Sequence, residues 1–406
     1  MIGALIRQLR VERNYSQAGL AHGICAPSYL SKIEQGQAEP GPVILDRLFA
    51  ALGVEYCREE TLLRQAEGQL SHYYEARERE EPTETAARWL EDHENTLFYS
   101  DLCLSIQIWR MYSALDQQNR ATAERLRREL DSQPNRMEAA QRSRYWRACA
   151  ELTQDAEEAL DLYRQSERSV PCAMARYRIA GVLYHLGRYS ACTEAADQAY
   201  RMAAEEGDLY VLVWASFLLG SCYAAMDMSF AEKYYRRSIR LGKNMEPRLE
   251  AWAAYNLGAS YLEWGQPEQA LYWLSRATYV EGGFRHNLLL EQKKALLFAQ
   301  LGRQQDAALA YEAARDILSQ SLPSMDDWER QIYTDMVRFA ELQLGGQRDN
   351  EYEILLHRIY DQAGEQLGFG FRKFYGQYLV ELYRSQRRYK DALRIMETVT
   401  FPEKQF

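Results

Sequence analysis

The sequence predicts an all-α chain: a small helical head of about one-seventh of the length, then a long succession of helix pairs. Three observations predict it. Leu, Ala, Glu, Arg and Tyr, which favour helix, dominate the composition, and few stretches alternate as strands do. The first 56 residues hold short apolar-periodic runs closed by Gly and opened by Ser or Pro at cap positions. Beyond them one helix–turn–helix pattern recurs at a near-constant spacing.

In the head, Ile2, Leu5, Ile6, Leu9 and Val11 form the stripe of a first helix that Asn14 ends. Ser16 caps a short helix, "QAGLAHG", closed by Gly23. Pro27 opens "PSYLSKIEQ", closed by Gly36, and a fourth helix starts near Pro42. This order is a helix-turn-helix, in which the second helix of the pair enters the major groove and the first braces on the backbone. Ile24, Leu30 and Ile33 should point inward. Ser28, Tyr29 and Lys32 should point outward, and Gln17 should reach a phosphate from the start of the bracing helix. Residues 1–56 carry five Lys/Arg against five Asp/Glu, so few counterions are released on DNA and a dimer on a palindromic operator is expected.

Residues 57–95 read as linker helices. Within them "REETLLRQAEGQLSHYYEARERE" forms one amphipathic helix whose charged end is expected to be solvated. Residues 96–400 read as the repeat domain. "YNLGASYLEWGQPEQALYWLSRA" fits the tetratricopeptide pattern, with Gly258 at the helix–helix contact and Gly265 at the turn. "IAGVLYHLGRYSACTEAADQA", "FLLGSCYAAMDMSFAEKYYRRS", "KALLFAQLGRQQDAALAYEAA" and "YLVELYRSQRRYKDALRIMETV" repeat it, and weaker copies cover 96–130, 140–170 and 331–363. Equivalent positions Ala180, Gly220, Gly258, Ala295, Phe339 and Val380 are 37 to 44 residues apart. Such an array predicts a TPR-like right-handed α-solenoid whose first helices line a concave face, bearing Tyr177, Arg178, Trp214, Asn256, Gln292 and Lys293. Asn256 stands out, because an amide can donate to and accept from a peptide backbone at once.

The motifs "SQAGLA", "YLSKIEQG" and "AEP" resemble the Xre/Cro-type, lambda-repressor-like domain. The stretch "GICAPSYLSKIEQGQAEP", with the repeats behind it, resembles the PlcR/NprR branch of Gram-positive peptide quorum-sensing regulators, a group with the Rap, Rgg and PrgX proteins. The resemblance implies DNA contacts at Gln17, Ser28, Tyr29 and Lys32, structural roles for Glu34 and Gly36, and a short signalling oligopeptide held by the inner face.

Other classes find little support. A net charge of −9 argues against nucleic acid coating the whole molecule, so any DNA contact is local. No apolar run approaches a membrane span, and the opening "MIGALIRQLRVERN" lacks a signal-peptide core, so a cytoplasmic protein is expected. Seven scattered Cys with no C-x-x-C read as buried thiols without a redox role, and six isolated His supply no metal-ligand spacing. No nucleophile elbow, phosphate loop or dinucleotide fingerprint occurs. The "GFGF" at 368–371 reads as a loop and "GFRKFYGQY" as aromatic packing. The reading is therefore a transcriptional regulator, without enzymatic activity or cofactor, whose repeats sense a peptide and self-associate as a homodimer or larger homo-oligomer. Two alternatives stay open: a Rap-like regulator docking on response-regulator domains, and a phage- or plasmid-type repressor whose repeats only oligomerise.

Overall fold

A computed structural model describes residues 2–131, 134, 137–367 and 369–400, and no strand occurs among them. The chain divides into two compact units between Pro171 and Cys172. The first unit opens with α1 (Ile2–Glu12), α2 (Gln17–Ala21), α3 (Pro27–Glu34) and α4 (Pro42–Ala51). Local chemistry sets these boundaries. The Ser16 hydroxyl accepts from the Gly19 N–H at 2.9 Å, Pro27 and Pro42 each stand at a helix start, and Gly23 and Gly36 adopt φ of +72° and +73°. Leu5, Ile6, Leu20, Leu30, Ile33, Leu48 and Phe49 close one core, with Ile24 partly buried against it.

Next come α5 (Glu60–Glu78) and α6 (Glu84–Phe98), the pair α7 (Cys103–Asp116) and α8 (Arg120–Leu130), and the pair α9 (Ala139–Leu152) and α10 (Ala156–Ser169). The charged end of α5 is only partly solvated, contrary to expectation. Arg77 donates to Asp116 at 2.7 Å and to both oxygens of Glu151, with its guanidinium over the Tyr112 ring, while Glu78 pairs with Arg147. The reason is tertiary: α5 ends beside side chains of opposite charge on α7 and α9. Arg79, Glu80 and Glu81 remain exposed. The head is tied to the turn after α6, where Cys57 N–H donates to the Tyr99 carbonyl at 2.8 Å and the Tyr56 hydroxyl to Asp101 at 2.7 Å.

The second unit stacks six helix pairs. They are α11 (Ala173–His185) with α12 (Tyr189–Glu206), α13 (Leu209–Tyr223) with α14 (Met228–Gly242), and α15 (Leu249–Glu263) with α16 (Pro267–Leu274). Then follow α17 (Phe284–Gln300) with α18 (Gln304–Ser321), a 3-10 turn at Leu322–Ser324, α19 (Asp327–Leu344) with α20 (Asn350–Gln366), and α21 (Phe369–Ser385) with α22 (Tyr389–Thr400). All the intra-pair turns of this unit but the one after α13 share one hydrogen-bond scheme. At Gly187 the glycine N–H returns to Tyr184 O and the next N–H to Leu183 O, both at 2.9 Å, with the glycine left-handed. The same pair of bonds closes the turns at Gly265, Gly302 and Gly346, and Arg387 takes the left-handed place in the last one. The turn after α13 lacks such a residue, in keeping with its sequence being one residue short. The seven thiols are free; Cys103, Cys149, Cys192 and Cys222 are buried, whereas Cys25, Cys57 and Cys172 are only partly so.

Candidate functional site

In the head, α3 presents Ser28 and Lys32 to solvent, four residues apart and so on one helix face. Tyr29 lies beside them half-buried, its hydroxyl donating to the Glu39 carbonyl at 3.0 Å. That bond fastens the start of α3 to the loop before α4. Gln17 is placed differently from the other three. Its amide nitrogen donates to Glu34 at 2.8 Å, and Arg10 grips the same carboxylate through Nε at 2.6 Å and a second nitrogen at 3.0 Å. Burial pushes the Glu34 carboxyl up, but Arg10 and Gln17 together bring it below its usual value. Glu34, at 2% exposed, therefore pins α1, α2 and α3 together. Arg10 was legible in the sequence only as one basic residue among three.

In the second unit α11, α13, α15, α17 and α21, with Tyr189 of α12 and Tyr235 of α14, surround a cleft of about 230 Å³. Its walls are aromatic: Tyr184, Tyr235, Tyr255, Phe371 and Phe374. Its polar groups are Ser221, Asn256, Ser260, Glu263, Lys293 and Lys373. Asn256 donates to the Tyr235 hydroxyl at 3.2 Å, and that hydroxyl meets Ser221 at 2.8 Å. Lys373 pairs with Glu263 at 2.6 Å, although burial still holds the Glu263 carboxyl above its ordinary value. The Lys293 ammonium stands 3.8 Å from the centre of the Phe374 ring.

Of the six residues expected on a ligand-binding face, the structure brings two into this cleft, Asn256 and Lys293. Gln292 lies behind it, fully buried, donating to Met336 O at 3.3 Å and the Tyr375 hydroxyl at 3.1 Å while accepting from Lys293 at 2.9 Å. Consecutive helix residues point about 100° apart, so the two could not share one face. Gln292 supports Lys293. Tyr177, Arg178 and Trp214 are not among the cleft's lining residues. Trp214 joins Tyr210, Phe217 and Trp252 in an aromatic cluster with ring centres about 6 Å apart, and Phe217 in turn touches Tyr235 at the cleft wall. Tyr177 is partly buried against the apolar cluster that includes Met174, Ala199, Val211 and Ala215.

Sequence reasoning missed Glu263, Phe371, Lys373 and Phe374: on α21 it placed Gln377 and Tyr378 on or near the inner face, and neither lines the cleft. Residues 369–371 are helix rather than loop, and the "GFRKFYGQY" segment supplies Phe371, Lys373 and Phe374 to the cleft; Gly368 lies outside the described residues. Charged residues interleaved with that aromatic run were the available signal.

Burial holds the Lys293 amine at about 7, from an ordinary 10.5, with Glu263 pulling it back up. Between those two values the unfolded chain binds a proton that the folded chain does not, so this group makes stability rise with pH across that window. Below about 7 both states carry the charge, and the folded one bears its desolvation in full. Lys293→Met should thus be more stable than the parent in acid to neutral solution, with the gap closing as pH rises. Thermal unfolding along a pH series checks this, and a gap independent of pH contradicts it.

Among the described residues no cluster of His, Cys, Asp and Glu is arranged to hold a metal, and no helix is long and apolar enough to cross a membrane. The architecture is that of a helix-turn-helix head followed by tetratricopeptide-like helix pairs. The helix-turn-helix family profile matches residues 6–57. Among solved structures the fold is similar to the apo form of the quorum sensor NprR from B. thuringiensis, with TM-score 0.62 and 15% identity over 84% of this chain and 100% of that one. It is similar to a Rap protein complexed with Competence and Sporulation Factor, with TM-score 0.64 and 17% identity over 84% and 98% of the two chains. NprR in complex with its cognate peptide NprX gives TM-score 0.58 and 15% identity over 83% and 98%. No curated protein matches the chain by sequence.

Proposed function

We propose that this chain is a DNA-binding transcriptional regulator whose second unit senses a short signalling peptide. The observation that carries the reading is the coexistence in one chain of an exposed α3 face, held rigid by Arg10 and Glu34, and an aromatic cleft with Asn256 at its wall. The solved structures of like fold include a quorum sensor with its cognate peptide. On this reading residues 1–56 bind DNA, 57–95 connect, and 96–400 carry the peptide site and the self-association surface. Ser28, Tyr29 and Lys32 face the groove, with Gln17 bracing α3 beside the backbone. A charge-neutral head needs two copies on a palindromic site to hold DNA at working salt. Asn256 grips the peptide backbone by exchanging its bond to Tyr235 for bonds to the ligand.

Selection from a randomised duplex library tests the DNA half. The full chain should enrich a palindrome, and Lys32→Ala should weaken that site by about 1–3 kcal/mol if the lysine reaches a base edge. Enrichment of no sequence, or equal binding by Lys32→Ala, removes the assignment. For the peptide half, conditioned medium should shift operator binding by the parent and leave Asn256→Ala unresponsive, its basal DNA affinity intact. Equal responses place the ligand elsewhere.

A further inference from the structure

The charges of the cleft do not balance. Glu263 is matched by Lys373 at 2.6 Å. Lys293, only 2% exposed, has the neutral amide oxygen of Gln292 and the Phe374 ring as partners, and no carboxylate among the described residues lies at ion-pair distance from it. A buried ammonium is costly unless an anion joins it. The ring face of Phe374 stabilises a cation in part, and the carboxylate that acts on this ammonium from farther off, Glu263, is already paired with Lys373. Beside it the cleft is walled largely by Tyr and Phe, with Asn256, two serines and the Glu263–Lys373 pair as its other polar groups, and a compact anion on an apolar body fits such a lining.

We infer that the cleft recognises its ligand through a carboxylate seated on Lys293, the adjoining apolar part of a short peptide lying against Tyr235, Tyr255 and Phe371. The inference rests on the peptide reading above and specifies its chemistry. One ligand carboxylate makes two carboxylates to two lysines in the cleft and leaves the Glu263–Lys373 pair undisturbed. Gln292 holds the Lys293 amine in position from behind, its own amide anchored on Met336 O and the Tyr375 hydroxyl. The carboxylate comes either from the free C-terminus of the peptide or from an Asp or Glu side chain.

The test uses the immobilised full-length protein and a randomised library of short peptides in separate pools: free acid or C-terminal amide, each made with or without Asp and Glu. Retained peptides are quantified by mass spectrometry. The parent should retain the free-acid pools, the Asp/Glu pools or both at least about tenfold better than the amide pool lacking Asp and Glu, the difference expected for one charge-assisted bond. Preference for both free-acid pools alone assigns the C-terminus, and preference for both Asp/Glu pools alone assigns a side chain. Lys293→Met should erase the preference, with thermal unfolding confirming the fold; Lys293→Gln serves the same purpose should the Met variant not fold. Equal retention of all pools by the parent overturns the carboxylate and leaves peptide binding standing. A preference that survives both substitutions also overturns it. Retention of no pool overturns the peptide reading and this inference together.

Discussion

Replacing Arg10 by Ala should lower the stability of the head by about 3 kcal/mol, although Arg10 lies on α1, outside the reading helix. The loss arises because Glu34, 2% exposed, keeps its charge with only the Gln17 amide to satisfy it. Removing one partner of a buried pair leaves the other uncompensated, which is worse than removing both. Arg10→Met with Glu34→Leu should therefore recover much of the loss. The pair also sets an acid limit. Glu34 titrates below its ordinary 4.5 in the folded head, so its contribution is complete above that value and is lost as pH falls through the folded value. Amide exchange over α1 to α4 in the full chain reads the effect directly. Unchanged protection in Arg10→Ala would show that the pair does not hold the head together.

Enlarging Gly258 should damage the packing of the second unit. A Cβ there would stand 2.5 Å from Leu274 Cγ and 3.0 Å from the Leu274 nitrogen, where α15 meets α16. Gly258→Val should cost about 3 kcal/mol, the upper part of the range for overpacking, and Gly258→Ala less. Because Asn256 lies two residues earlier on the same helix, displacing α15 should weaken the cleft as well. Thermal unfolding measures the first effect. Adding Leu274→Ala to Gly258→Ala should destabilise by less than the two single changes combined, since each relieves the other. Strict additivity would mean that the two positions do not press on each other.

Much of the fold was legible because its signals are local. A Ser ahead of a helix, a Pro at its first turn and a left-handed Gly after its end act within a few residues of themselves, so Ser16, Pro27, Gly23 and Gly187 announce their places. The repeat period is equally plain, since each pair must bury an apolar face on the next. Turns without glycine were harder to see. Gln118 and Arg387 take φ of 56° and 59°, conformations that their own side chains disfavour and that the packed helix pairs impose.

The sequence by itself determined an all-α chain with a helix-turn-helix head, tetratricopeptide-like pairs behind it, Leu30 and Ile33 as its hinge of packing, and Asn256 on an inner helix. Only the tertiary structure decided which side chains meet. Glu34 had to find Arg10 across the head, Arg77 had to find Asp116 and Glu151, and Lys373 had to come back from α21 to Glu263 on α15. It also sent Gln292 behind the wall and Lys293 into the cleft, though they are neighbours in the chain. The physical reason is that a helix's pattern fixes which stripe is apolar to within a residue or so. The partner of a polar side chain depends instead on rotations summed over several packed helices, which no short stretch encodes.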